Sequence, residues 1–166
     1  VVTACKKTEI FPIIPELTYK SYYFTVDPDN PMDTLLGVIV GYRDGDGDIG
    51  LNTGDTFAPF NSIIGPNDVQ LNPYYYNLHI DYLTLDENGV YQPVIIPNTT
   101  DTFRDLSRIQ NITPESKYKA IRGDIDKQIV RPPFPGLSKN VKLKIKIYDR
   151  ALHESNTIET PPIVLP

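Results

Sequence analysis

"VKLKIKIY", residues 141–148, alternates without interruption: Val141, Leu143, Ile145 and Ile147 share one side, and Lys142, Lys144 and Lys146 share the other. Successive side chains of a strand point to opposite faces, so this text describes a strand with one face on a core and one in water. Downstream, "ETPPIVL" closes the chain with a short apolar run behind two prolines. Upstream, "KAIRGDIDKQI" (119–129) places Ile121, Ile125 and Ile129 on one side, and "YYNLHIDYLTL" (75–85) sets Tyr76, Leu78, Ile80 and Tyr82 against Asn77, His79 and Asp81. Asn88-Gly89, inside "DENGVYQPVII", is the strongest hairpin signal in the chain. "TLLGVIVGY" (34–42) is a near-continuous apolar run of strand length, and "LTYKSYYFTV" (17–26) is a Tyr-, Thr- and Phe-rich run that ends in the turn text "DPDNP". The best helix candidate is the short "TPESKYKA" (113–120). The pattern predicts an all-β protein, an antiparallel β-sandwich of about seven or eight strands, with a small barrel as the alternative.

The 166 residues fit one ordinary domain, large enough to bury about two thirds of the surface of the unfolded chain. Residues 6–17, "KKTEIFPIIPEL", carry Pro12 and Pro15 and read as an extended tether; residues 18–166 form the domain. A net charge of -5 opposes nonspecific nucleic-acid binding, which needs a basic patch to neutralise phosphates. Tryptophan, the commonest platform for stacking sugars, is absent.

"GYRDGDGDIGLNTGDT" (41–56) sets Asp44, Asp46 and Asp48 at alternate positions, where three carboxylates repel one another unless a cation lies among them. Calcium takes six to eight oxygen ligands, and recurring carboxylates with glycines between them suit a loop that curls around an ion. With Asp44 as the first position of an EF-hand-like loop, Asp46 is third, Asp48 fifth, Gly50 seventh, Asn52 ninth and Asp55 twelfth. Gly50 would offer its carbonyl, Asn52 a direct or water-bridged oxygen and Asp55 the closing carboxylate. The sixth position is Ile49 rather than glycine and the twelfth is aspartate rather than glutamate, so the spacing predicts a distorted loop or a ligand from elsewhere, with Asp33 or Asp81 as candidates. The flanks read as strand and coil, so the site would brace a loop rather than open a groove.

Val2, Thr3, Ala4 and Cys5 resemble the bacterial lipobox, a hydrophobic residue and two small ones before a cysteine. On that reading the residues before Cys5 are the end of a signal peptide and Cys5 carries the lipid. The strand leading into "DGDGDIGL", the "DENGVY" hairpin, "ITPESKYKAIRGDI" and the terminal "IYDRALHESNTIETPPIVL" together resemble lipoproteins of Bacteroidota, many of unknown function, over most of residues 34–165. The terminal segment is also similar to the last two strands of immunoglobulin-like domains, in which D-x-A-x-x-x-S, here Asp149, Ala151 and Ser155, joins a strand to its partner. The resemblance implies an immunoglobulin-like sandwich and a lipid anchor in the outer membrane; "KKTE" after Cys5 is a poor version of the acidic surface-export signal, so the membrane face stays open. "DTL" at 33–35 resembles the O-glycosylation signal of these bacteria, which makes Thr34 a candidate modification site.

The supply of catalytic groups is thin. His79 lies on the polar face of an alternating strand and His153 in a polar turn, and both read as surface residues. The lysine stripe 142, 144 and 146 reads either as pairing across the sheet with Asp124 and Asp126 or as a solvated face that discourages edge aggregation. The expectation is a non-catalytic, calcium-stabilised outer-membrane lipoprotein, an accessory or interaction subunit of an outer-membrane β-barrel complex for uptake, secretion or assembly. The alternative is a stand-alone surface binder of glycan or peptide.

Overall fold

The computed structural model describes residues 10–67, 70–112, 120–129, 134 and 136–166. Cys5 with its lipobox, and the 113–119 stretch expected to be a short helix, lie outside the described residues. Eleven strands follow one another among those described: β1 (Glu16–Val26), β2 (Thr34–Asp44), β3 (Ile63–Ile64), β4 (Gln70–Leu71), β5 (Leu78–Leu85), β6 (Tyr91–Pro93), β7 (Arg104–Ser107), β8 (Ile121–Ile129), β9 (Asn140–Ile147), β10 (Ile158–Glu159) and β11 (Ile163–Val164). Among the described residues the chain is all-β, as the alternation predicts, and the strands pair antiparallel.

β1, β2 and β8 form one sheet in that order. The second sheet runs β10-β9-β5-β6, with β11 also on β9 and β7 also on β5. Leu36, Val38 and Val40 of β2 and Ile129 of β8 share one apolar cluster with Leu78, Ile80 and Tyr82 of β5 and Val141, Leu143, Ile145 and Ile147 of β9. The two sheets thus enclose one core, an arrangement compatible with a β-sandwich. The open flank between them is spanned by an ion pair from Lys127 of β8 to Asp105 of β7, at 3.3 Å.

Three local solutions follow directly from residue type. On the outer face of the first sheet, Gly37 and Gly41 of β2 leave room for β1 side chains to cross it. The Tyr23 ring lies against Gly37 and its hydroxyl donates to Asp126 at 2.8 Å, while Lys20 crosses Gly41 to pair with Asp124. The Asn88-Gly89 hairpin does form between β5 and β6, with Gly89 at φ 78 as its left-handed residue. Asp86 closes it, accepting from Asn88 N and Val90 N at 2.9 and 2.8 Å, so the turn is wider than a two-residue one. β10 and β11 lie along the same edge of β9 with a one-residue change of register between them, where Pro161 and Pro162 offer no N–H to a ladder.

The lysine stripe departs from its expectation. β9 and β8 lie in different sheets, so Lys142, Lys144 and Lys146 cannot reach Asp124 or Asp126. Lys142 and Lys144 pair instead with Glu159, and Lys146 with Glu154, both from the segment that returns along β9. Alternation identifies a strand's faces but is silent about its neighbours.

Candidate metal centre

Asp44 is the last residue of β2, and the chain then turns through Gly45–Ile49 beneath the end of the second sheet. Gly47 takes a left-handed φ of 73, which lets Asp48 N–H fold back onto Asp44 Oδ2 at 2.9 Å. Ile49 and Leu51 are buried core plugs, at 0% and 1% exposure, that anchor the loop from below. This is why the sixth position is isoleucine: the place where an EF-hand needs a turning glycine here needs an apolar anchor. The turning glycine is Gly50, at φ 99, and a Cβ on it would collide with the Gln110 carbonyl.

The loop docks on the chain that leaves β9. Ile49 bridges Asp149, Arg150 N–H donates to Asp48 O at 3.2 Å, and Ala151 N–H donates to Asp48 Oδ2 at 3.0 Å. These contacts bring Asp149 into the group. One carboxylate oxygen from each of Asp44, Asp46, Asp48 and Asp149 lies within 4.8 Å of all the others. Asp44 ends a strand of the first sheet and Asp149 follows a strand of the second, so the cluster sits where the two sheets meet.

Three observations describe its electrostatics. Asp44 and Asp149 are 0% and 1% exposed. Asp44 Oδ1, Asp46 Oδ1 and Asp48 Oδ1 are buried without a hydrogen-bond partner among the described residues. Burial, with the Asp46 charge next, pushes Asp44 up to about 7. Burial, with the charges of Asp149 and Asp46, pushes Asp48 up to about 6, and burial raises Asp149 as well. Orphaned buried oxygens are costly, and four carboxylates gathered this closely are a donor set that could hold a hard cation.

His153 belongs to this centre as a positioning group. Its Nδ1 lies 2.8 Å from Asp149 Oδ2, its backbone N–H donates to Asp149 Oδ1 at 2.8 Å, and the carboxylate raises the histidine pKa. The D-x-A-x-x-x-S segment thereby acquires a physical meaning. Asp149 joins the cluster, Ala151 N–H holds Asp48, and Ser155 Oγ accepts from Ile147 N–H at 3.0 Å where β9 lacks a ladder partner.

The remaining residues of the EF-hand-like count are brought elsewhere. Asp55 faces Arg150, which holds its carboxyl below the usual range, and accepts from Asn52 N–H at 2.7 Å. Asn52 Oδ1 accepts from Asn111 Nδ2 at 3.1 Å, and Gly50 is packed against Gln110. Asn52 and Asp55 are thus engaged with Asn111, with Arg150 and with each other. Asp33 accepts from Asn30 and Asp81 pairs with Arg104, so neither candidate extra ligand approaches it. Asp149 is the member of the cluster that local spacing does not show, because it is remote in sequence; its signal is an aspartate directly after the most regular strand. Thr34 is exposed at the start of β2, and His79 Nε2 lies 2.9 and 2.8 Å from the Pro73 and Tyr76 carbonyls, capping the turn before β5. No family model, curated protein or solved structure matches the chain.

Proposed function

We propose that this chain is a calcium-braced, immunoglobulin-like sandwich that acts as a non-catalytic interaction module, anchored through Cys5 to the bacterial outer membrane as an accessory subunit of a β-barrel complex. The single observation that supports the metal is the convergence of the orphaned oxygens of Asp44, Asp46 and Asp48 with Asp149 at the junction of the two sheets. All four donors are carboxylates, which favours calcium over metals that select nitrogen or sulfur. Magnesium keeps several waters and suits so closed a set of protein ligands less well.

A structural task for the ion follows from its surroundings. Two of its four carboxylates are buried, and both histidines are engaged, one with backbone carbonyls and one with Asp149. The interaction reading draws on β1, an edge strand that presents Tyr22, Phe24 and Val26 at 40%, 38% and 59% exposure. Aromatic residues on an exposed edge are the stuff of protein contacts. The lipobox text at 2–5 and the likeness to Bacteroidota lipoproteins support the anchor.

The test is an affinity pull-down of the lipidated, tagged protein from gently solubilised native membranes with calcium retained. Stoichiometric recovery of an outer-membrane β-barrel protein is the expected result. Recovery of the protein alone turns the reading toward a free-standing glycan or peptide binder.

A further inference from the structure

The cation loop is also where the N-terminal segment is attached, and the geometry of that attachment goes beyond bracing. Gly45 stands between two of the clustered aspartates. Its N–H donates to Pro12 O at 2.7 Å, and a Cβ on it would collide with the Phe11 carbonyl and lie 2.7 Å from Pro12 O. Gly45 has no positive φ, unlike Gly47 and Gly50 nearby, so close approach of the 11–12 backbone, rather than turn geometry, demands a glycine here. Arg43, one residue before Asp44, sits 5.9 Å above the Phe11 ring and pairs with Glu16 at 3.1 Å.

The other end of the segment is stapled to the far side of the same centre. Leu17 N–H donates to Asn156 Oδ1 at 2.7 Å, and Asn156 Nδ2 donates to Leu17 O at 3.0 Å. Asn156 follows Ser155, which is fixed on β9 just beyond the turn that carries Asp149 and His153. Between these staples, Pro12, Ile14 and Pro15 wall an open depression of about 590 Å³ with Arg43 and Asn156. The stretch 10–17 therefore touches the 44–48 loop directly at Gly45 and, through Leu17, reaches Asn156 on the chain that continues from the Asp149 turn.

We propose that cation binding at Asp44, Asp46, Asp48 and Asp149 clamps the segment 10–15 onto the domain, and that loss of the cation releases it. This inference rests on the calcium reading above. Without a cation the four carboxylates relieve their repulsion by spreading, and Gly45, flanked on both sides by them, moves with the loop. Its hydrogen bond to Pro12 and its fit beneath Phe11 are then lost together. In a protein anchored through Cys5, the clamp decides whether the domain stands at a fixed distance from the bilayer or swings on a free tether.

The test places spin labels at Ile10→Cys, a position 91% exposed, and at Thr157→Cys, in the full chain with Cys5 replaced by serine. Calcium binding is measured by calorimetry on the same sample. The expected result is a narrow distance distribution in calcium and a broad one in excess chelator. Asn156→Ala, which touches none of the carboxylates, should bind calcium within a few-fold of the parent yet give a broader distribution in calcium than the parent. Should Asn156→Ala fail to fold, Phe11→Ala, which removes the ring beneath Arg43, takes its place with the same expectation. Calcium binding with an unchanged distribution on chelation overturns the clamp and leaves the calcium reading standing. Absence of calcium binding overturns both. Loss of amide protection throughout β5 and β9 in chelator also overturns the clamp, since the ion would then hold the whole fold rather than the segment.

Discussion

Asp44 carries opposite consequences for the metal-free and the metal-bound protein, and this separates a cation site from a merely acidic turn. In the metal-free fold it is a fully buried carboxyl with one orphaned oxygen and two acidic neighbours. Asp44→Asn removes that conflict, so the chelated variant should be more stable than chelated wild type by about 1–3 kcal/mol. In calcium the order should reverse, because the variant has lost a charged ligand; melting curves with and without chelator check the crossover. Protons give a second handle. Asp44 at about 7 and Asp48 at about 6 both lie above an unfolded carboxyl of about 4, so the metal-free fold binds protons more tightly than the unfolded chain. Their contribution is fully present below about pH 4 and is lost as pH rises through 6 and 7, so the chelated protein should melt higher at pH 5 than at pH 8. Calcium bound there would displace those protons, and its apparent affinity should strengthen over the same window. How far such a centre can be read from sequence depends on distance along the chain. Asp44, Asp46 and Asp48 announce themselves because their repulsion is local. Asp149 and its partner His153 do not, since only the antiparallel return of β9 brings them beside the loop.

Strands were readable wherever one face is buried and the other is wet. β9, β5 and β8 obey that rule, and their alternation carries through to Val141, Leu143, Ile145 and Ile147, all at the core. What alternation could not supply was partnership, which is why the lysines of β9 were assigned to the wrong sheet. Nor could it show the edge formed by β10 and β11, where paired prolines break one strand into two and side chains replace the missing ladder. Thr160 fills that break: its N–H donates to Leu143 O at 3.0 Å, and its hydroxyl accepts from Leu143 N–H at 3.0 Å. Thr160→Val keeps the shape and removes the acceptor, leaving a buried N–H on the central strand unpaired. A loss of about 1–3 kcal/mol is expected, or several degrees in melting temperature for a domain of this size. Ser155→Ala, which strips the same service from Ile147 N–H, should cost a similar amount, and chemical denaturation with an unchanged m-value would measure both. The loop's own demand is conformational. Gly50→Ala must accommodate a Cβ against the Gln110 carbonyl at φ 99, a position where a strained side chain costs on the order of 1–3 kcal/mol before the collision is counted.

The position of the acidic cluster between the sheets decides what loss of a cation held there should do to the molecule as a whole. Each sheet is stitched internally by long ladders, such as β1 with β2, β2 with β8 and β5 with β9. Between the sheets the described polar ties are few and lie apart: Lys127 with Asp105 on one flank, Asn156 with Leu17 at a corner, and the loop of Asp44 to Leu51 against Asp149 and Ile109 at one end. The rest of the junction is apolar packing, which is strong in sum but does not fix one end against sliding. On the calcium reading, a cation joining the end of β2 to the turn after β9 would act there as a cross-link, and its removal would turn that tie into mutual repulsion while the apolar cluster in the middle is untouched. Opening should therefore be local before it is global. Hydrogen exchange in chelator should speed up at Asp48, Leu51, Asn111 and Ala151, whose amides knit the loop to its neighbours, while the amides of β5 and β9 stay slow. Asp46→Ala should reproduce that pattern even with calcium present, and both conditions should lower the melting temperature. Equal acceleration in every strand would mean that the apolar core depends on the ion, and an unchanged exchange map would mean that the four carboxylates hold their places without one.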